Sequence, residues 1–177
     1  MIPVPANSLS AGFFSEQAAL EEAALRVLRS GWYILGEETA SFEQEFAAWL
    51  GASAAVGVAN GTDALMLALR VVGVNAGDGV FTVSHTAVAT VAAIEMLGAV
   101  PLLVDVDSQT LTMCPHSLSR AIHSAHRLGI PLKAVVPVHL YGHPCDIGAL
   151  IALAREYGLR VVEDCSQSRS EEHTSEL

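Results

Sequence analysis

From Ala54 to Glu163 the chain repeats one unit: a short apolar run, a polar turn, an amphipathic stretch and a glycine. The apolar runs are Ala54–Ala59, Val80–Val83, Val100–Val104, Lys133–Val138 and Arg160–Glu163. Between them, apolar residues recur at helical spacing: Leu65, Ala68, Leu69 and Val72; Leu118, Ala121, Ile122 and Ala125; Ile147, Leu150, Ile151 and Ala154. Strands alternating with helices predict an α/β fold, with a mostly parallel sheet sandwiched by helices. The runs are nearly continuous in apolar residues, as expected of strands covered on both faces.

Two helices are expected before the first unit. One runs from Phe13 to Ser30, starts on Ser15 and stops at Gly31. The other runs from Glu37 to Leu50, with acidic residues in its first turn and Phe42, Phe46, Trp49 and Leu50 on one stripe. The loop between them, Gly31-Trp32-Tyr33-Ile34-Leu35-Gly36, carries aromatics that are expected to pack on the core.

The composition is that of a globular chain, 51% hydrophobic and 16% charged over 177 residues, with a net charge of −10. That charge argues against a nucleic-acid surface. No apolar run is long enough to span a bilayer, and Met1-Ile2-Pro3-Val4-Pro5 has no signal-peptide pattern. Cys114, Cys145 and Cys165 are odd in number and unpatterned, which fits a reducing, cytoplasmic setting better than a disulfide framework. Residues 169–177 break the pattern. They are polar and start no core element, and their string matches the translation of a common sequencing adapter. They are read as a non-native tail, which leaves 1–168 as one cofactor-binding domain, incomplete at its C-terminus.

In a parallel α/β sheet, ligands gather beyond the carboxyl ends of the strands. The residues placed there are Asn60-Gly61-Thr62, Ser84-His85-Thr86, Asp105-Val106-Asp107, His139-Leu140-Tyr141-Gly142 and Asp164-Cys165-Ser166-Gln167. The turn at Asn60-Gly61 is expected to use a positive φ, with a helix opening at Thr62 or Asp63 whose free N–H groups and dipole suit a phosphate. An aromatic such as His85 suits a planar ring. A dry carboxylate such as Asp164 suits a protonated ring nitrogen, the pairing that pyridoxal phosphate chemistry requires.

Six segments, in one order from about Phe13 to Ser168, carry a more specific resemblance. They are Gly31-Trp32…Gly36…Phe42-Glu43; Val58-Ala59-Asn60-Gly61-Thr62-Asp63-Ala64-Leu65; Gly77-Asp78…Val83-Ser84-His85-Thr86-Ala87-Val88-Ala89-Thr90; Gly98-Ala99-Val100-Pro101…Val104-Asp105-Val106-Asp107; Val136-Pro137-Val138-His139-Leu140-Tyr141-Gly142; and Val161-Val162-Glu163-Asp164-Cys165-Ser166-Gln167. With these, the chain resembles the N-terminal part of the DegT/DnrJ-type sugar aminotransferases, fold-type I pyridoxal phosphate enzymes. The resemblance implies that Gly61 and Thr62 bind the cofactor phosphate, His85 stacks on the ring, Asp164 pairs with the ring nitrogen and Gln167 meets the ring hydroxyl. It also implies a homodimer that moves an amino group, usually from glutamate, onto a nucleotide-linked keto sugar. The Ser84–Thr90 wording is most similar to members acting on dTDP-linked 3-keto-6-deoxyhexoses. The family's Schiff-base lysine falls beyond this chain. Its one lysine, Lys133, starts a strand and so lies at the opposite sheet edge. The chain as it stands is therefore expected to be inactive.

Three other readings are open to this sequence. Gly57-Val58-Ala59-Asn60-Gly61 is GxxxG, not the GxGxxG of a nicotinamide-binding domain. His139, His143 and Cys145 share a loop, but at no standard zinc spacing, while His116, His123 and His126 are read as a solvated helix face. The resemblance also extends to sugar dehydratases, with histidine in the lysine's place, and to non-enzymatic cofactor- or sugar-sensing regulators on the same fold.

Overall fold

The computed structural model describes residues 9–168, so the 169–177 tail lies outside the described residues. The chain divides into two compact units, Met1–Gly57 and Val58–Leu177.

The first unit holds three helices: α1 (Leu9–Ser15), α2 (Gln17–Ser30) and α3 (Glu37–Leu50). The single helix expected over Phe13–Ser30 is two. Ser15 does not cap the second of them. Its hydroxyl donates to the Gly12 carbonyl at 2.8 Å, closing the preceding turn, and the chain breaks at Glu16. Arg26 bridges the helices by meeting Glu38 at 2.9 Å, with Glu22 at 3.6 Å. On α3, Phe42, Phe46 and Trp49 form a row of rings with centroids 5.5 and 5.7 Å apart. Only Ala47 is buried among the described side chains of this unit. Contrary to expectation, Trp32 and Tyr33 do not pack inward; both are exposed.

The second unit carries α4 (Gly61–Val71), β1 (Gly79–Val83), α5 (Val88–Met96), β2 (Val100–Val104), α6 (Pro115–Arg127), β3 (Leu132–Val135), a short 3-10 turn over Leu140–Gly142, α7 (Ile147–Glu156) and β4 (Arg160–Val161). The four strands are parallel, in the order β2-β1-β3-β4. Alternation along the strands divides the core. Val80 and Ala134 pack with Leu65, Leu69, Ala93 and Ile94 of α4 and α5. Phe81, Val83 and Val135 pack with Leu118, Ile122 and Leu150 of α6 and α7. Helices thus cover both faces, as the sequence predicts.

Two strands are shorter than expected, for a local reason. Pro137 has no N–H to give a ladder, so β3 stops at Val135. Beyond it the backbones continue to meet in single contacts: Val136 N–H to Phe81 O at 2.7 Å, Val162 N–H to Val135 O at 3.0 Å, and a bridge pairing Val138 with Asp164. The expected strand Ala54–Ala59 does not form. None of the four strands pairs with this segment, and Val56 is 78% exposed. An apolar run becomes a strand only when a neighbour supplies the other half of the ladder.

Candidate active site

The strand order fixes where a ligand can sit. The chain steps from β1 to β2 on one side, then returns to place β3 on the other side of β1, changing helix layer as it does so. The reversal opens a crevice beyond the carboxyl ends of β1 and β3. Ser84-His85-Thr86 follows β1, the segment to His139 follows β3, and Asp164 is bridged beside Val138.

Asp164 is the centre of this cluster and is 7% exposed. Its backbone is clamped on both sides, its N–H donating to Pro137 O at 2.9 Å and its C=O accepting from His139 N–H at 3.1 Å. On the carboxylate, Oδ2 accepts from the Thr90 hydroxyl at 3.1 Å. Oδ1 accepts from the Ser166 hydroxyl at 2.6 Å and the Ser166 N–H at 3.2 Å. Three donors converge on one buried carboxylate, which has room for one more.

The phosphate seat forms differently from expectation. Asn60 is extended (φ −163°) and Gly61 is not among the positive-φ glycines, so the turn uses no left-handed residue. The helix opens at Gly61 itself, a residue earlier than the sequence suggests. Asn60 caps it, its Oδ1 accepting from Asp63 N–H at 2.9 Å while its Nδ2 donates to the Asp63 carboxylate at 2.9 Å. That leaves the Gly61 and Thr62 N–H groups for an anion. A Cβ at Gly61 would stand 3.4 Å from Ser166 Oγ, an ordinary contact distance that puts the helix start beside Ser166. The anion seat and the Asp164 carboxylate therefore share Ser166 as a neighbour.

His85 is exposed, and its Nδ1 donates to the Leu111 carbonyl at 3.2 Å, which fixes the ring. The Gln167 side-chain oxygen accepts from Tyr141 N–H at 2.8 Å, leaving its amide NH₂ as a donor. Leu111 and Tyr141 are both left-handed, at φ 58° and 56°. Two of the three described non-glycine residues in this costly conformation thus hold site residues through their backbones. Tyr141 falls in a strand-end loop that the sequence marks; nothing in the sequence marks Leu111.

His139, Glu163 and Cys165 present ligand atoms within 4.8 Å of one another. The imidazole nonetheless argues against a metal. Its Nδ1 accepts the Cys145 backbone N–H at 3.0 Å, so the neutral ring carries its proton on Nε2, which meets Glu163 at 3.0 Å. A metal on Nε2 would move that proton to Nδ1, facing another N–H. Cys145, Cys165 and the Glu163 carboxylate draw the pKa of His139 upward, while burial opposes that rise, and a charged ring would turn an Nδ1 proton toward the Cys145 N–H just as a metal would. The alternative zinc set fails for the same reason: Cys145 approaches His139 through its backbone, and its thiol donates to Val138 O at 3.3 Å. His116, His123 and His126 are exposed on α6, as expected, with Tyr157 beside the latter two.

Lys133 lies away from the cluster. A Cβ at Gly73, just past the end of α4, would be 3.3 Å from its Nζ. The candidate site is at the other end of that 11-residue helix, about 16 Å away at 1.5 Å per residue.

The profile of the DegT/DnrJ/EryC1/StrS aminotransferase family matches residues 15–175. The chain belongs to this family. It is 42% identical over 152 residues to the dTDP-3-amino-3,6-dideoxy-alpha-D-galactopyranose transaminase of Aneurinibacillus thermoaerophilus, covering 86% of this chain and 40% of that protein. It is 41% identical over 170 residues to the erythromycin biosynthesis sensory transduction protein EryC1 of Saccharopolyspora erythraea, covering 96% and 45%. The crystal structure of DesV from S. venezuelae in complex with a ketimine intermediate superimposes with a TM-score of 0.89 at 42% identity, covering 95% of this chain and 44% of that one. The chain thus spans less than half the length of these relatives.

Proposed function

We propose that this chain is the N-terminal, cofactor-holding portion of a pyridoxal phosphate-dependent aminotransferase acting on a nucleotide-linked keto sugar. The observation that carries the reading is Asp164: a buried carboxylate at the switch point, held by three donors and beside a helix N-terminus with free N–H groups. The residues present fit the cofactor. Gly61 and Thr62 would hold its phosphate, His85 would offer a ring face, Gln167 would donate to the ring hydroxyl, and Asp164 would accept from the ring nitrogen. Bound there, the cofactor would act as the electron sink for amino-group transfer. Asp164 would keep the ring nitrogen protonated, and the packed strand ends beneath it would keep water from the carboxylate.

The family and its named sugar transaminase support a nucleotide-linked keto sugar as acceptor, a dTDP-linked 3-keto-6-deoxyhexose in the first instance. Glutamate is the proposed donor, and a cytoplasmic homodimer the proposed form of the complete protein. Residues 1–168 are proposed to be its cofactor-binding domain, with 169–177 a non-native tail. The name of the EryC1 relative favours a second reading, a sensory role on the same fold.

The test is to purify the full-length protein, supply pyridoxal phosphate, glutamate and the dTDP-linked 3-keto sugar, and follow the sugar by mass spectrometry. Formation of the amino sugar with an equal amount of 2-oxoglutarate is expected. Cofactor binding without amine formation from any of a panel of keto sugars would favour the sensory reading.

A further inference from the structure

Thr90 stands 74 positions before Asp164, on a helix in a different part of the chain, yet its hydroxyl ends on that carboxylate. It is 1% exposed. Thr86, one turn earlier at the entry to α5, places its own hydroxyl 2.9 Å from that of Thr90. A threonine hydroxyl has one proton to give. The Asp164 carboxylate accepts it from Thr90, so the proton between the two threonines belongs to Thr86. The result is a directed chain, Thr86 to Thr90 to Asp164 Oδ2, in which each bond polarises the next. Ser166 grips the other oxygen through both its N–H and its hydroxyl. Pinned at both oxygens from separate elements, the carboxylate cannot swing about its terminal torsion without breaking a buried hydrogen bond.

We propose that Thr90, backed by Thr86, is a positioning residue that aims the Asp164 carboxylate at the ring nitrogen of the cofactor. This rests on the cofactor reading above. Thr90 touches no ligand; it acts through Asp164. A purely architectural threonine would affect folding or general affinity. An aiming residue would affect only what depends on the ring nitrogen.

The experiment separates the two roles. Binding of pyridoxal phosphate and of its carbocyclic analogue, with C–H in place of the ring nitrogen, is measured by fluorescence titration on full-length wild type, T90V and T90S. Valine keeps the shape of threonine and removes the hydroxyl. Wild type is expected to prefer pyridoxal phosphate. T90V should lose about tenfold in affinity for pyridoxal phosphate, the scale of a hydrogen bond to a charged group, and stay within about twofold for the analogue. T90S should restore the preference. Equal losses for both compounds in T90V, or no loss for either, would overturn the proposal. If T90V does not fold, T86V carries the same test with Thr90 in place, and a loss of preference of about threefold is expected. Wild type that binds neither compound would overturn the cofactor reading, and this proposal with it. Wild type that binds both, with selectivity unchanged in the variants, would overturn this proposal alone.

Discussion

At the scale of residues, the candidate site divides into groups that local sequence marks and groups that only the fold reveals. Asp164 and Gly61 sit at strand ends and turns, where a parallel α/β pattern directs attention. Thr90 and Leu111 had no such signal, because what matters about them is a contact 74 or 26 positions away. In the full-length protein, on the proposed cofactor reading, Asp164→Ala would strip the ring nitrogen of its partner and leave the buried Thr90 hydroxyl without an acceptor. Losing one partner of a buried pair costs about 3–5 kcal/mol, so kcat should fall by about a hundredfold or more. His85→Phe keeps a stacking face worth about 0.5–1.5 kcal/mol, and kcat should stay within about tenfold of wild type. Steady-state rates on the keto sugar check both; the reverse order of severity would remove Asp164 from its assigned place.

At the scale of elements, α4, α6 and α7 are readable from sequence nearly to their ends, because each sets an apolar stripe against a sheet face. The Ala54–Ala59 segment is not. Its composition is that of a buried strand, but composition does not supply a neighbour, and pairing decides. The turn after it lies where the sequence places it but without a left-handed residue, although Asn-Gly suits a left-handed turn equally well. Here Asn60 is a helix cap, and that makes a prediction. Asn60→Ala removes the acceptor for Asp63 N–H and should lower stability by about 1 kcal/mol. Asn60→Ser, which keeps an acceptor oxygen and sets no second carboxylate against Asp63, should lose less. Chemical denaturation of the pair separates a cap from a residue present only for its turn preference. The Gly61 position answers to a different element: Gly61→Val would press its branches toward Ser166 and should weaken binding of inorganic phosphate and pyridoxal phosphate together, measured by calorimetry. Unchanged affinity for both would mean that Ser166 yields without disturbing the anion seat.

At the scale of the whole molecule, the two units differ in how they are held. Residues 58–168 enclose apolar clusters on both sheet faces. Residues 9–57 bury one described side chain, Ala47, and show Trp32, Ile34, Phe42 and Trp49 to solvent. In the second unit, Val71 and Val88 are likewise exposed, at 85% and 84%. Dilute trypsin or chymotrypsin acting on this chain should therefore cut first within residues 9–57 and leave a protected piece beginning near Val58. The dye ANS should bind the chain, and a single cooperative melt with no ANS signal would contradict that uneven packing. The parallel sheet and its two helix layers followed from the repeat of strand and helix, whereas the strand order and the break between the units did not; Gly57 and Val58 read as the middle of one apolar run. The placement of Lys133 has a practical consequence. With the chain's one lysine beside Gly73, at the far end of α4, these 177 residues carry almost no amine that could reach the proposed cofactor site. Treated with pyridoxal phosphate and borohydride, they supply their own blank: a label fixed on Lys133 reports chance collision. Mixed with a separately expressed C-terminal half, a stoichiometric label absent from that blank would lie on the added piece, and the mass spectrum of the mixture would identify its amine.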